Sequence, residues 1–186
     1  MTSRVIVVTG SASGIGATSA RLLRERGHQV IGVDLRDAEI CADLGTAEGR
    51  AAAIEGVLQQ ANGAIDGLVN CAGVSSAIQD ERRVLAINYF GTAALLQGLR
   101  AALTRTATPA AVVVSSYAMV LPTPLPAAID ACLAMDEPAA LDLVGQDPRV
   151  GSIWPAYATA KSALSHLLRR LAPSPDWSGQ GIALNA

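Results

Sequence analysis

"RVIVVTGSASGIG", residues 4–16, decides the fold. Its first half is a run of β-branched residues with no polar alternation, the pattern of a strand buried on both faces of a parallel sheet. Its second half places Gly10, Gly14 and Gly16 directly after that strand, and residues 15–26, closed by Gly27, read as a helix. A strand, a glycine turn and a helix in succession make a phosphate cradle. The glycines allow a tight turn, close approach of backbone to a pyrophosphate, and close packing of helix on strand. The helix N-terminus adds unpaired N–H groups and a partial positive charge. The spacing is G-x-x-x-G-x-G, not the G-x-G-x-x-G of the common dinucleotide fingerprint.

Outward from this stretch, strands and helices alternate. "HQVIGVD" (28–34) is a second strand ending in Asp34, and "EICADL" (39–44) a short third. A helix capped by Thr46, with Glu48 in its first turn, follows. "DGLVNCAG" (66–73) is a strand running into a turn, and a long helix spans 80–103. "PAAVVVSS" (109–116) is a fifth strand, 154–171 a helix, and "GIALNA" (181–186) opens a sixth strand. The expected fold is α/β, a doubly wound Rossmann-type parallel sheet. Residues 1–186 read as one dinucleotide-binding and catalytic domain with a helical insertion at about 117–153. That insertion holds Pro122, Pro124 and Pro126 and two helix-like stretches, 127–134 and 137–145.

Composition narrows the function. Hydrophobic residues make up 51% of the chain but aromatics only 3%, so Ala, Val, Leu and Ile must build the core. Net charge is −2 with no basic run, which argues against nucleic acid or an anionic membrane as partner. No apolar run approaches a membrane span, and a strand from Arg4 onward leaves no room for a signal peptide. Cys41, Cys71 and Cys132 lack metal or disulfide spacing, and no carboxylate cluster lies near His28 or His166. Three small buried thiols in a reducing cytoplasm, and no metal, are expected.

Two acid–base features remain. Asp34, at the end of the second strand, can accept hydrogen bonds from a ribose diol and would repel a 2′-phosphate. NAD(H) is therefore expected over NADP(H), with Arg36 as a candidate phosphate ligand. Lys161 is the only lysine beside thirteen arginines, and it follows Tyr157 by four residues in "SIWPAYATAKSAL" (152–164). Residues four apart share a helix face, so the ammonium can reach the phenol and favour the phenolate. A tyrosine tuned in this way can act as a general acid or base.

These motifs together resemble the short-chain dehydrogenase/reductase family: T-G-x-x-x-G-I-G at 9–16, Asp34, "ADL" at 42–44, "NCAG" at 70–73, Asn88 in "LAINYFGT", Ser116, and Y-x-x-x-K at 157–161. They run the length of the chain in the family's order. "VIGVDLRDAEICADLGTAEGR" (30–50), with Tyr157 lying 41 positions after Ser116, resembles the 3α-hydroxysteroid dehydrogenase/carbonyl reductase branch. There the inserted helices are associated with blocking the usual subunit interface.

The resemblance implies an NAD(H)-dependent oxidoreductase that interconverts a secondary alcohol and a ketone, a 3-hydroxysteroid or similar bulky carbonyl compound. Tyr157 would be the proton donor or base. Lys161 would tune it and bind the nicotinamide ribose. Ser116 would hold the substrate oxygen: strand alternation turns only one of Ser115 and Ser116 toward the cleft, and the family pattern favours the second. Asn88 would anchor a relay water. The backbone at Ser13–Ile15 would meet the pyrophosphate beside Gly10, Gly14 and Gly16, and Asp34 the adenosine ribose. Asp43 and Leu44 would meet the adenine edge, and Asn70, Ala72 and Gly73 the next turn. Trp154, Met119 and Leu121 flank the expected cleft, while Tyr89 and Tyr117, lacking a lysine at helical spacing, are expected to be packing residues.

The resemblance also implies a loop, helices and a seventh strand after the sixth, none of which lies within the 186 residues. A bare sheet edge is a liability, which favours a polypeptide that continues with a lid and final strand. The competing readings are a relative acting on an unrelated alcohol or xenobiotic carbonyl, and a non-catalytic NAD(H)-binding sensor. A sensor needs none of Asn88, Ser116, Tyr157 and Lys161. A cytoplasmic homodimer or higher homo-oligomer completes the expectation.

Overall fold

The structure, a computed structural model, describes residues 3–75, 78, 80–120, 123–148 and 154–186, without the side chain of residue 154. A six-stranded parallel sheet has the order β3-β2-β1-β4-β5-β6. The strands are β1 (Val5–Thr9), β2 (Gln29–Asp34), β3 (Ile40–Cys41), β4 (Gly67–Asn70), β5 (Ala110–Val113) and β6 (Ala183–Asn185). Order reverses between β1 and β4, and an open parallel sheet leaves a crevice at such a point, outside the carboxyl ends of its strands. The glycine turn lies there.

Side-chain alternation along β1 explains the layers. Val8 and Ile6 face α1 (Gly14–Glu25), where they pack with Ala20 and Val30. Val7 faces the opposite way, into the larger core with Ile31, Leu68, Val57 and Leu99. The helices over that core are α2 (Ala47–Gln60), α4 (Thr92–Leu103) and α7 (Trp154–Leu171). Both faces of β1 are covered, which is why its sequence shows no alternation. Each fully buried Val or Leu contributes about 1.5–3 kcal/mol.

The helix expected over 80–103 is divided: α3 (Glu81–Leu85), a π-helical segment (Ala86–Gly91), then α4. Asp80 caps α3 by accepting from the Arg83 amide at 2.9 Å. A Cβ at Gly91 would lie 3.1 Å from both the Cβ and the carbonyl oxygen of Leu44, so glycine lets the widened turn approach the β3–α2 connection. π-turns concentrate at functional sites, and this one carries Asn88.

The insertion folds as expected into α5 (Pro126–Leu133) and α6 (Glu137–Gly145), after a 3₁₀ turn at Tyr117–Val120. α5 packs on α7 and α6 on α3. Tyr89 donates its hydroxyl to the Cys132 carbonyl at 2.8 Å, and the Leu125 amide donates to the Thr159 hydroxyl at 2.9 Å. Arg50, 7% exposed on α2, holds Glu137 with two guanidinium nitrogens.

Three expectations are corrected. Only Cys132 is a buried thiol: Cys41 is exposed because the two-residue β3 turns it away from Ile40, and Cys71 is half-buried. Tyr117 is not a packing residue but is 69% exposed, whereas Tyr89 is fully buried. β5 ends at Val113, so strand alternation does not reach Ser115 and Ser116. Leu121, Pro122 and the Trp154 side chain lie outside the described residues. No helix among the described residues is long and apolar enough to cross a membrane.

Candidate active site

The segments after the C-terminal ends of β1, β2, β3 and β4 line a cavity of about 590 Å³. Its wall includes ten residues expected from the sequence: Gly10, Ser13, Gly14, Ile15, Gly16, Asp34, Asp43, Leu44, Ala72 and Gly73. Local geometry explains the glycine turn. Gly10 sits at φ +66°, and a Cβ there would meet the Ala72 backbone at 3.0 Å. A Cβ at Gly16 would fall 2.1 Å from the Gly10 carbonyl oxygen, so no side chain fits. Gly14, at φ +54°, faces open space. Ser13 makes no side-chain cap, and the first turn of α1 carries no acidic residue, leaving the helix N-terminus receptive to an anion. These residues suit a dinucleotide pyrophosphate.

The rims of the cavity are fixed by hydrogen bonds. Asp34 accepts from the Ala12 amide at 2.9 Å and from the Leu35 amide at 2.6 Å, which holds its charge at the edge of the glycine turn. Arg36, expected as a phosphate ligand, is instead 87% exposed at its side chain and lies 4.0 Å from Asp37. It is not among the residues of the cavity wall. Asn70 also departs from expectation. Its side chain is buried beneath the β4 turn, where its Oδ1 accepts from the Thr9 hydroxyl at 2.7 Å. Thr9 in turn accepts from the Ala72 amide at 2.9 Å, so the "NCAG" turn is locked onto the end of β1.

Asn88 reaches the same turn from the π-segment. Its Oδ1 accepts from the Val74 amide at 2.8 Å and its Nδ2 donates to the Val74 carbonyl at 2.9 Å. The amide is therefore a clasp on the backbone of another segment. Leu35, Ala42, Cys71, Val74, Ile78, Arg83 and Ile87 line the cavity too, and sequence spacing did not single them out. The apolar ones carry no chemical signature. Arg83 reaches the wall through an ion pair with Asp43, forty positions away.

Beyond the cavity, α7 brings Tyr157 and Lys161 together as the four-residue spacing implies. Lys161 Nζ lies 5.7 Å from the centre of the Tyr157 ring and donates to the Val114 carbonyl at 2.7 Å. Burial pushes the Lys161 ammonium down to about 8, with Cys71 acting weakly the other way. Burial likewise raises the Cys71 thiol, against the pull of Lys161. The Lys161 charge is thus felt at Cys71, on the cavity wall. Ser116 immediately precedes the 3₁₀ turn that packs on α7, and its Oγ accepts from the Ala118 amide at 3.2 Å. Ser115 turns its hydroxyl to the Met119 sulfur at 3.7 Å.

Comparison with known proteins agrees with this geometry. A family model described as short chain dehydrogenase matches residues 4–128. The 3-alpha-hydroxysteroid dehydrogenase/carbonyl reductase of Comamonas testosteroni is 39% identical over 185 residues, which cover 97% of this chain and 70% of that protein. The coniferyl-alcohol dehydrogenase of a Pseudomonas strain is 44% identical over 97 residues, 49% of this chain and 36% of its own. Among solved structures, the 3-alpha-hydroxysteroid dehydrogenase from Pseudomonas sp. B-0831 complexed with NADH superposes with a TM-score of 0.92. It is 46% identical and matches over 97% of this chain and 70% of its own. Strand order, glycine turn and sequence likeness together make this chain a member of the short-chain dehydrogenase family, oxidoreductases acting on CH–OH donors.

Proposed function

We propose that the protein is an NAD(H)-dependent dehydrogenase that interconverts a secondary alcohol and a ketone, with a 3-hydroxysteroid or similarly bulky apolar carbonyl compound as substrate. The observation that carries this reading is the buried Lys161 ammonium, pinned on the Val114 carbonyl beside the Tyr157 ring. A buried cation is costly, and its place beside a phenol provides a reason for it.

In this reading the Tyr157 hydroxyl gives its proton to the substrate carbonyl oxygen during reduction and takes it from the alcohol during oxidation. Lys161 stabilises the phenolate left behind and holds the ribose next to it. The Ser116 hydroxyl donates to the substrate oxygen as charge builds there. Asn88 holds the Val74 turn against the cofactor, and a relay water near it connects Lys161 to solvent. A bound nicotinamide supplies or accepts the hydride. Asp34 favours NAD(H), because its fixed charge opposes a 2′-phosphate and Arg36 stands away from the cavity. The exposed Tyr117 and Val120, in the 3₁₀ turn that follows Ser116, offer apolar surface for a bulky substrate. Likeness to two hydroxysteroid dehydrogenases supports the substrate class. The free cysteines fit a cytoplasmic enzyme.

The test follows dinucleotide reduction with NAD⁺ or NADP⁺ over a panel of 3-hydroxysteroids and simple secondary alcohols, with Tyr157→Phe alongside. NADH formed from a 3-hydroxysteroid by the native protein, and lost at least about 10²-fold in the variant, is the expected result. Turnover only with small alcohols overturns the substrate class. Equal turnover by the variant overturns the role of Tyr157.

A further inference from the structure

The adenosine end of the cavity carries a cation that neither the glycine turn nor Asp34 accounts for. Arg83, in the first turn of α3, donates its Nη2 to Asp43 Oδ2 at 2.9 Å. The other carboxylate oxygen, Oδ1, accepts from the Gly45 amide at 2.9 Å, and the Asp43 carbonyl accepts from the Thr46 amide at 3.1 Å. Asp43 is thus immobilised by its own turn, and it in turn fixes the guanidinium. Exposed ion pairs of this kind contribute little to stability. Arg83 is 40% exposed at its side chain, so stability is a weak reason for the arrangement.

The cavity wall supplies a better one. Arg83 shares it with the aliphatic side chains of Leu35, Ala42, Leu44 and Ile87, and no aromatic ring occurs among the described lining residues. A purine is a flat ring that gains most from a flat partner. A guanidinium is planar, weakly hydrated and stacks on such rings, and arginine is used this way against nucleobases. A lysine or an aliphatic side chain has no such plane.

We propose that Arg83 is a recognition residue for the adenine base of the dinucleotide: Asp43 orients its guanidinium, whose plane lies on the base. The inference rests on the cofactor reading above and extends it to a residue outside the glycine turn and Asp34. The contact belongs to the adenosine half alone, so the two halves of the dinucleotide separate recognition from support of the turn.

The experiment measures dissociation constants of NADH, AMP and reduced nicotinamide mononucleotide for the native protein, Arg83→Lys and Arg83→Met. Loss of the stack weakens AMP and NADH about tenfold in both variants, with the mononucleotide unchanged within about twofold. Lysine keeps the charge facing Asp43 but not the plane. Native AMP affinity in Arg83→Lys therefore overturns the stack and leaves a tether. Equal weakening of the mononucleotide, or a variant that binds none of the three, overturns it in favour of a structural role. Variants that match the native protein with all three ligands overturn the inference alone. A native protein that binds none overturns the cofactor reading with it.

Discussion

Replacing Lys161 by methionine should make the protein more stable at neutral pH while abolishing turnover. Lys161 is 7% exposed and donates to the Val114 carbonyl at 2.7 Å. Burial lowers its pKa to about 8. A free lysine titrates near 10.4, so that drop corresponds to about 3 kcal/mol by which the folded state disfavours the charged form. Methionine has similar length, keeps the apolar stem and needs no partner. Against the gain stands the Val114 carbonyl, whose lost charge-assisted bond costs about 1–2 kcal/mol. The net expectation is about 1–2 kcal/mol of added stability at pH 7.

The sign follows from proton linkage. Below pH 8 the lysine is charged in both states, and the burial cost is fully present. Between about 8 and 10.4 the unfolded chain holds a proton that the folded chain has shed, so native stability rises with pH, by up to about 1.4 kcal/mol per pH unit. Above that interval the penalty is gone. Urea unfolding of both proteins from pH 6.5 to 10.5 measures this directly, and the difference between them isolates Lys161 from other groups titrating there. The advantage of the variant should shrink steadily across the interval. A variant less stable than the native protein at pH 7, or a difference independent of pH, refutes the reasoning.

Three further outcomes are expected. Asp34→Ala should raise the kcat/KM ratio of NADP⁺ to NAD⁺ at least about tenfold, because two like charges about 5 Å apart repel by about 3 kcal/mol at an effective dielectric near 20. Steady-state kinetics with both dinucleotides checks it, and an unchanged ratio removes Asp34 from specificity. Asn88→Ala frees both polar groups of Val74, costs about 1–3 kcal/mol of stability, and should speed amide exchange at Val74 before exchange in β1. Arg50→Met leaves Glu137 largely buried without the guanidinium that holds it and should cost about 2–4 kcal/mol in denaturant unfolding, with most of it recovered in Arg50→Met/Glu137→Leu.

Much of the fold was legible because it depends on patterns carried by short segments. The uniform apolar run of β1 reports two buried faces, and the glycine turn follows without a break. Even α7 begins and ends where its sequence suggested, at Trp154 and Leu171. What failed depends on distant contacts. The π-segment widens a helix where Gly91 nears Leu44, an approach that no local propensity encodes. Asn70 was expected beside the ribose with Ala72 and Gly73 because the resemblance implies it for the "NCAG" turn, but Thr9 draws its side chain beneath that turn. Tyr117 read as a packing residue because no lysine follows it at helical spacing, yet β5 ends before it and a 3₁₀ turn leaves it at the surface. Arg83 carried no motif, since its placement depends on an aspartate from another element.

The insertion shows why such distant contacts matter for function. Arg50 holds Glu137 of α6 and also donates to the Leu44 carbonyl at 3.5 Å, while Arg83 holds Asp43, the residue before Leu44. Arg82, adjacent to Arg83, donates to the Leu141 carbonyl of α6 at 3.2 Å. The turn at Asp43 and Leu44 is therefore braced by a helix of the insertion as well as by the sheet. A segment that looked like an addition before Tyr157 is joined through these arginines to the wall of the cavity. Its loss would disturb both the turn that follows Ser116 and, through Arg50, the turn at Leu44. A residue count between Ser116 and Tyr157 reveals only that extra chain is present. The arginines show what that chain holds in place.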